Sequence, residues 1–324
     1  MEPVRFGVIG AASFVANAAI LPAIEKSDTT EVVAACSLSG AADPSLSAVE
    51  VDSYEAVVTH PDVEAVYIPL PNHLHLRWIL ACAGAGKHVL CEKPLALSAD
   101  EARIAADACE QAGVLLAEAW MSPFHRRWRS MMAHVSSGQL GSPTMVSTAF
   151  TFTIDPENHD NYRFDSSMGG GALYDLGIYC LGPAVHLWGP NPTTVEVTDQ
   201  TWKNGVDLTT EFRRKWDERR VAVGRCSFIE PEQQSIVIDC ERGVVRTVDQ
   251  AHTGGAMAVS FEWSGITTEG TQEQRTVEIP NNDPYQTMIE RFCHAVRGQR
   301  EWPRPIPRSI EMMELIDRIR MVHR

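Results

Sequence analysis

The chain has 324 residues, 44% of them hydrophobic and 22% charged, which is enough for about two ordinary globular domains with full cores. Acidic residues exceed basic ones by 42 − 28 = 14, giving a net charge of −14 and a sequence pI near 5.2. That balance argues against nucleic acid or an anionic membrane as partner, because no basic excess supplies the counterion-release term.

Taken in chain order, the first third alternates short apolar strands with helical patterns. Strands are predicted over Val4–Ile9, Glu31–Cys36, Val49–Val51, Glu64–Pro69, His88–Cys91 and Val114–Glu118. Helices are predicted over Ser13–Glu25, Leu74–Ala85 and Ala99–Ala112, the last with Ser98 as N-cap and Glu101 at the capping-box position. Near-continuous apolar strands between amphipathic helices imply a parallel sheet covered on both faces, in a doubly wound arrangement.

Beyond about Met121 the pattern changes. A helix over Phe124–Ser136 precedes longer alternating runs at 144–154, 193–202, 220–229 and 234–248, the last turning at Arg242-Gly243. These read as antiparallel strands of an open sheet. Helices over Pro284–Val296 and Ser309–Val322 close the chain. The expected organisation is therefore a doubly wound α/β domain over 1–121 and an α+β domain over 122–324.

The eight cysteines show no CxxC pair and read as buried, reduced thiols. No charged region followed by an apolar h-region opens the chain, and no apolar run reaches the ~18 residues that span a bilayer. A reducing cytoplasm is the expected home.

The first strand enters "GVIGAAS", whose small residues suit close approach to a pyrophosphate at a helix N-terminus. Only Gly10 of a G-x-G-x-x-G pattern is present, with Ala12 and Val15 at the other two positions. At the end of the second strand, where an acid would mark NAD and an arginine NADP, stand Ser37 and Leu38. The cofactor is NADP or NAD, and the missing acid leans towards NADP.

In "KHVLCEKPLALS" a lysine stands at the tip of a core strand, its direction fixed by the proline that follows. In "GGGALYDLGIY" Asp175 and Tyr179 lie four apart, on one helical face. Hydride transfer at an alcohol carbon needs a group that moves the hydroxyl proton. A phenol with pKa near 10 does this poorly at neutral pH unless a neighbouring cation favours the phenolate. Lys93 is the candidate cation, Tyr179 the candidate acid/base and Asp175 the orienting carboxylate. Pro183, four after Tyr179, predicts a kink and an unbonded Tyr179 carbonyl. His73 and His75 have no third ligand at metal spacing, so no metal is expected.

Together with "AVYIPLPNHLH" and "YRFDSSMGGGALYDLGIY", these blocks resemble the Gfo/Idh/MocA family of nicotinamide-dependent oxidoreductases over essentially the whole chain. Tyr179, where many members carry histidine, places the chain with the branch of glucose-fructose oxidoreductase, dimeric dihydrodiol dehydrogenase, xylose dehydrogenase and ketosugar reductases. The resemblance implies a Rossmann domain followed by a mostly antiparallel sheet that pairs in a homodimer. It also implies a C-terminal helix (309–322) packed back on the first domain, and a cis peptide before Pro94. It sets the dinucleotide against Gly10, Ala11, Ala12, Ser13, Phe14, Ser37, Leu38, Pro69, Leu70, Asn72, His75, Glu92, Lys93 and Arg163.

The implied activity is hydride exchange between NAD(P) and a secondary alcohol or ketone of a sugar-like substrate. The alternatives are dehydrogenation of a trans-dihydrodiol of an aromatic compound, and dinucleotide sensing without catalysis. The Ser-, Pro- and Gly-rich stretch from Ser37 to Tyr54 is short for the family and predicts weaker cofactor binding.

Overall fold

The computed structural model describes residues 2–38, 48–157, 161–248, 250–252 and 258–322. It divides into two compact units. The first comprises residues up to Met121 together with Tyr285–Met313, and the second Ser122–Pro284 together with residues from Glu314 onwards.

In the first unit, β1 (Val4–Ile9) leads through a π-helical turn (Ala16–Ile20) into α1 (Leu21–Glu25) and then β2 (Thr30–Cys36). After β3 (Val49–Glu50) come α2 (Tyr54–Thr59), β4 (Ala65–Ile68), α3 (His75–Gly84), β5 (His88–Glu92), α4 (Ala99–Gln111) and β6 (Leu116–Ala119). The six strands form one parallel sheet in the order β3-β2-β1-β4-β5-β6. β1, β4 and β5 are apolar almost throughout because helices cover both faces, and Val8, Ile9, Val66, Tyr67, Val89 and Leu90 have no solvent exposure. Ser98 caps α4 by accepting the Glu101 N–H at 3.2 Å, while Glu101 reaches back to the Leu97 N–H at 2.9 Å. Half of the 37–54 stretch, residues 39–47, on which the expectation of weaker cofactor binding falls, lies outside the described residues. Where description resumes, Ser53 caps the short α2 through the Ala56 N–H.

The second unit starts with α5 (Arg126–Ser136), β7 (Pro143–Thr153) and the long α6 (Ala172–Trp188). It continues through β8 (Thr194–Lys203), β9 (Val206–Lys215), β10 (Val221–Ser227), β11 (Ile229–Cys240), β12 (Gly243–Thr247), β13 (Val259–Ile266) and β14 (Gln272–Ile279). These strands make an eight-stranded sheet, β14-β13-β12-β11-β7-β10-β9-β8, antiparallel except where β7 meets β10. α6 lies across β7, β9 and β10, and Gly224 on β10 makes room for it: a Cβ there would meet the Phe212 ring at 2.4 Å and the Cys180 Cβ at 3.2 Å. Last come α7 (Pro284–Val296) and α8 (Ile306–Met321), the first unit taking α7 from Tyr285 and the opening of α8.

Two strands, β9 and β14, carry no clear signal in the sequence, whereas β13 alternates Val259, Phe261 and Trp263 with polar residues and its signal is there to be read. On β9 the buried positions include Asp207, Thr209, Thr210 and Arg214, so burial there does not show as apolar alternation. The edge strand β14 is polar at nearly every position.

Candidate active site

The carboxyl end of the parallel sheet gathers most of the expected cofactor residues. Gly10 adopts φ +87°, and a Cβ on it would meet the Leu70 side chain at 2.7 Å and the Pro69 carbonyl at 3.2 Å. Only glycine fits this close approach of the β1 loop to the β4 loop. The Gly10 and Ala11 N–H groups both donate to the Cys36 carbonyl, at 2.8 and 3.1 Å, which ties the loop to the end of β2. Asn17 Nδ2 closes the loop by donating to the Ala11 and Ser13 carbonyls, each at 3.0 Å. Phe14 (86% exposed) and Leu38 (68%) stand out in solvent around this turn. A tight glycine turn with small neighbours, feeding the helical run from Ala16 to Glu25, fits a dinucleotide pyrophosphate.

The next two loops are locked together by His75. Its ring is fully buried, with Nδ1 2.8 Å from the Pro94 carbonyl and Nε2 2.8 Å from the Leu70 carbonyl. Both ring nitrogens are thus engaged with backbone carbonyls. Burial lowers the His75 pKa.

Lys93 follows directly on β5, and the Lys93–Pro94 peptide is cis. Beyond it the Leu95 N–H donates to Glu118 Oε1 at 3.0 Å. The other Glu118 oxygen is ion-paired with Arg304, whose guanidinium also donates to Ser309 Oγ at 2.7 Å and lies 5.0 Å from the Trp120 ring centroid. Pro94 is therefore held by His75 and Leu95 by Glu118, and the backbone that carries Lys93 has little freedom. Glu92 is buried and accepts the Tyr67 hydroxyl at 2.8 Å. Burial first, then the Glu92 charge, push the Tyr67 phenol well above its ordinary range, so it stays a donor.

In the second unit, Asp175 and Tyr179 sit one turn apart on α6, both buried. Asp175 Oδ2 accepts Arg163 Nε at 2.7 Å. The Asp175 charge is the main reason the Arg163 pKa lies above its ordinary value, with Tyr179 contributing in the same direction. The glycine run exists for this pair. A Cβ on Gly170 would lie 2.5 Å from the Arg163 carbonyl oxygen, and the Gly171 N–H donates to that carbonyl at 2.9 Å.

The Tyr179 ring packs edge-on against Phe150 at 5.2 Å and lies 5.7 Å from the buried His252, which stacks on Phe150 at 5.1 Å. Burial drives the His252 pKa down to about 3, so this neighbour is neutral across the working pH range.

Several supporting residues escape a reading of the sequence, because each acts across a long loop. Asp207 on β9 accepts the Leu173 N–H and the Thr210 hydroxyl, both at 2.8 Å, and so serves as a distant cap for α6, whose own N-cap is Gly171. Burial pushes the Asp207 carboxyl up to about 6.

α6 runs on through Pro183. Just after Tyr179, the Cys180 carbonyl accepts from Thr148 Oγ1 at 2.9 Å and from Arg214 Nη2 at 3.4 Å, while Leu181's accepts from Arg214 Nη1 at 3.3 Å. These two carbonyls directly follow that of Tyr179, the one whose helical donor Pro183 lacks. The basic cluster at the start of α5 is also structural in part. His125 caps the helix through the Arg127 N–H at 3.0 Å, and the buried Arg127 donates to the Gln250 carbonyl.

Residues 4–119 match the family described as "Oxidoreductase family, NAD-binding Rossmann fold", and residues 128–246 match the "GFO/IDH/MocA C-terminal domain". A dTDP-3,4-didehydro-2,6-dideoxy-alpha-D-glucose 3-reductase from Actinomadura kijaniata is 37% identical over 98% of this chain and 95% of its own length. A D-xylose 1-dehydrogenase (NADP(+)) from Haloferax volcanii is 32% identical over 97% and 95%. Among solved structures, a 3-ketoreductase from Actinomadura kijaniata in complex with NADP and TDP-benzene superposes with a TM-score of 0.88 at 24% identity, over 99% of this chain and 98% of that one.

Proposed function

The chain belongs to the Gfo/Idh/MocA family of NAD(P)-binding oxidoreductases, and on that premise we propose that it exchanges hydride with a secondary alcohol or ketone of a sugar-like substrate. Tyr179 is the acid/base, Lys93 the cation that makes its phenol acidic enough, and Asp175 the carboxylate that orients the site. The bound nicotinamide supplies the hydride donor or acceptor. In the oxidative direction the substrate hydroxyl gives its proton to the Tyr179 phenolate as hydride leaves the same carbon. In the reductive direction the phenol returns that proton to the carbonyl oxygen.

The observation that carries this reading is the fixed Tyr179 ring, wedged against Phe150 and His252 one turn beyond the Asp175–Arg163 ion pair. Support for Lys93 comes from the two-sided clamp on the residues after it. The names of the relatives favour a sugar or nucleotide-linked ketosugar as substrate class. Absorbance at the reduced-nicotinamide band, followed with a panel of aldoses, ketosugars and trans-dihydrodiols, should show turnover on the sugar group. Turnover on the dihydrodiols alone would replace the substrate class, and tight cofactor binding with no turnover on any member would make the chain a sensor.

We further propose that the chain forms a homodimer through the face of the eight-stranded sheet away from α6. Cross-strand pairing puts Met145 beside Val221, and Ser147 beside both Val223 and Val237, on that face. Around this apolar centre lie charged groups, among them Arg225 with Glu211 at 3.0 Å and with Glu230 and Asp199. An apolar centre with a charged rim is the usual anatomy of a protein interface. Sedimentation equilibrium at micromolar concentration should give twice the chain mass, and Val223→Glu should return the monomer; a wild-type monomer would remove the proposal. Among the described residues no helix is long and apolar enough to cross a membrane, and the eight unpaired, buried cysteines suit a reducing compartment such as the cytoplasm.

A further inference from the structure

The end of β2 carries neither the acid nor the arginine that would choose a cofactor, but the neighbouring edge strand does carry an acid. β3 runs parallel to β2 with Ala34 opposite Val49 and Ala35 opposite Glu50, and the Val51 N–H donates to the Ala35 carbonyl at 3.0 Å. Ser37 and Asp52 each follow the last residue paired between the two strands, Ala35 and Glu50, by two positions and so leave the same end of the sheet side by side. The Asp52 side chain is exposed, whereas Ser37 Oγ is shielded from solvent and has no hydrogen-bond partner. A donor–acceptor hydroxyl without a partner, next to a free carboxylate, is a ready site for a vicinal diol.

The surrounding charge has one sign. From Ser37 to Glu55 the sequence contains no lysine, arginine or histidine, and it contains Asp43, Glu50, Asp52 and Glu55. After burial, the charges of Glu50, Asp52 and Glu55 are what push the Cys36 thiol up. The Arg77 guanidinium lies 3.4 Å from Glu55 and is already paired there.

We propose that Asp52, assisted by the Ser37 hydroxyl, accepts the ribose hydroxyls of the adenosine half of the cofactor and so selects NAD over NADP. The carboxylate rewards a free 2′-hydroxyl and repels a 2′-phosphate, the role that an acid at the end of β2 plays in other dinucleotide folds. Here it is displaced by one strand. The inference separates this chain from the relatives described with NADP. It depends on the dinucleotide site that comes with family membership and is independent of the proton shuttle at Tyr179, so loss of one leaves the other standing.

Equilibrium titrations of cofactor fluorescence, with NADH and NADPH measured separately, test it without any turnover. The intact chain should bind NADH at least about tenfold more tightly than NADPH, the minimum set by one charge-assisted hydrogen bond. Asp52→Asn should weaken NADH by about tenfold while leaving NADPH level or improved, with an unchanged melting temperature because the side chain is exposed. Leu38→Arg, at an exposed position on the neighbouring strand end, should raise NADPH affinity and narrow or reverse the preference. Equal or tighter binding of NADPH by the intact chain would overturn the proposal, and so would an unchanged NADH/NADPH ratio in the Asp52 variant.

Discussion

Tyr179→Phe is expected to lower kcat by roughly 10²–10⁴-fold, the contribution of a positioned acid/base, while cofactor affinity and melting temperature stay close to those of the intact chain. The ring keeps its contacts with Phe150 and His252, so the packing that holds α6 is retained and only the hydroxyl is lost. Rapid mixing of enzyme, cofactor and substrate would separate the hydride step from binding, and the loss should appear in that step. A rise in KM with kcat unchanged would assign the hydroxyl to substrate binding instead.

Lys93→Met should cost about 10–100-fold at neutral pH and partly recover as the pH rises. An ammonium close to a phenol lowers its pKa by about 1–3 units, and removing the charge returns the phenol towards its ordinary value. The rate of the oxidative direction should therefore climb with pH in the variant beyond the point where the intact enzyme has levelled off. Methionine keeps most of the length and apolar stem of lysine, and the clamps on Pro94 and Leu95 act through their backbone atoms, so the fold should tolerate the change.

The extent to which this was readable from the sequence follows from the range of the contacts. The parallel strands around Val8, Val66 and Val89 announce themselves because burial on both faces makes them apolar throughout. The Ser98 cap and the Asp175–Tyr179 spacing are local and equally plain. The β9 strand is hidden by its buried Asp207 and Arg214, each of which serves α6 from more than 30 residues away.

The site reads in the same divided way. The positions of Lys93 and Tyr179 within their motifs are evident, but what holds them is not. His75 braces two backbone carbonyls, of Leu70 and Pro94, and its motif gives no sign of the second, nineteen residues away. Asp175 is ion-paired with Arg163, twelve residues earlier on a segment that the glycine run allows to pass close by. Glu118 and Arg304, 186 residues apart, carry no signal that links them until the chain is folded.

Ultraviolet difference titration of the phenol, intact enzyme minus the Tyr179→Phe variant, reports the ionisation of this one side chain. An activated Tyr179 titrates well below the ordinary phenol range, and the same titration in the Lys93→Met background moves back up. If the phenol ionises at an unshifted pH, or ionises identically whether or not residue 93 carries a charge, then proton transfer in this enzyme is performed by some other group.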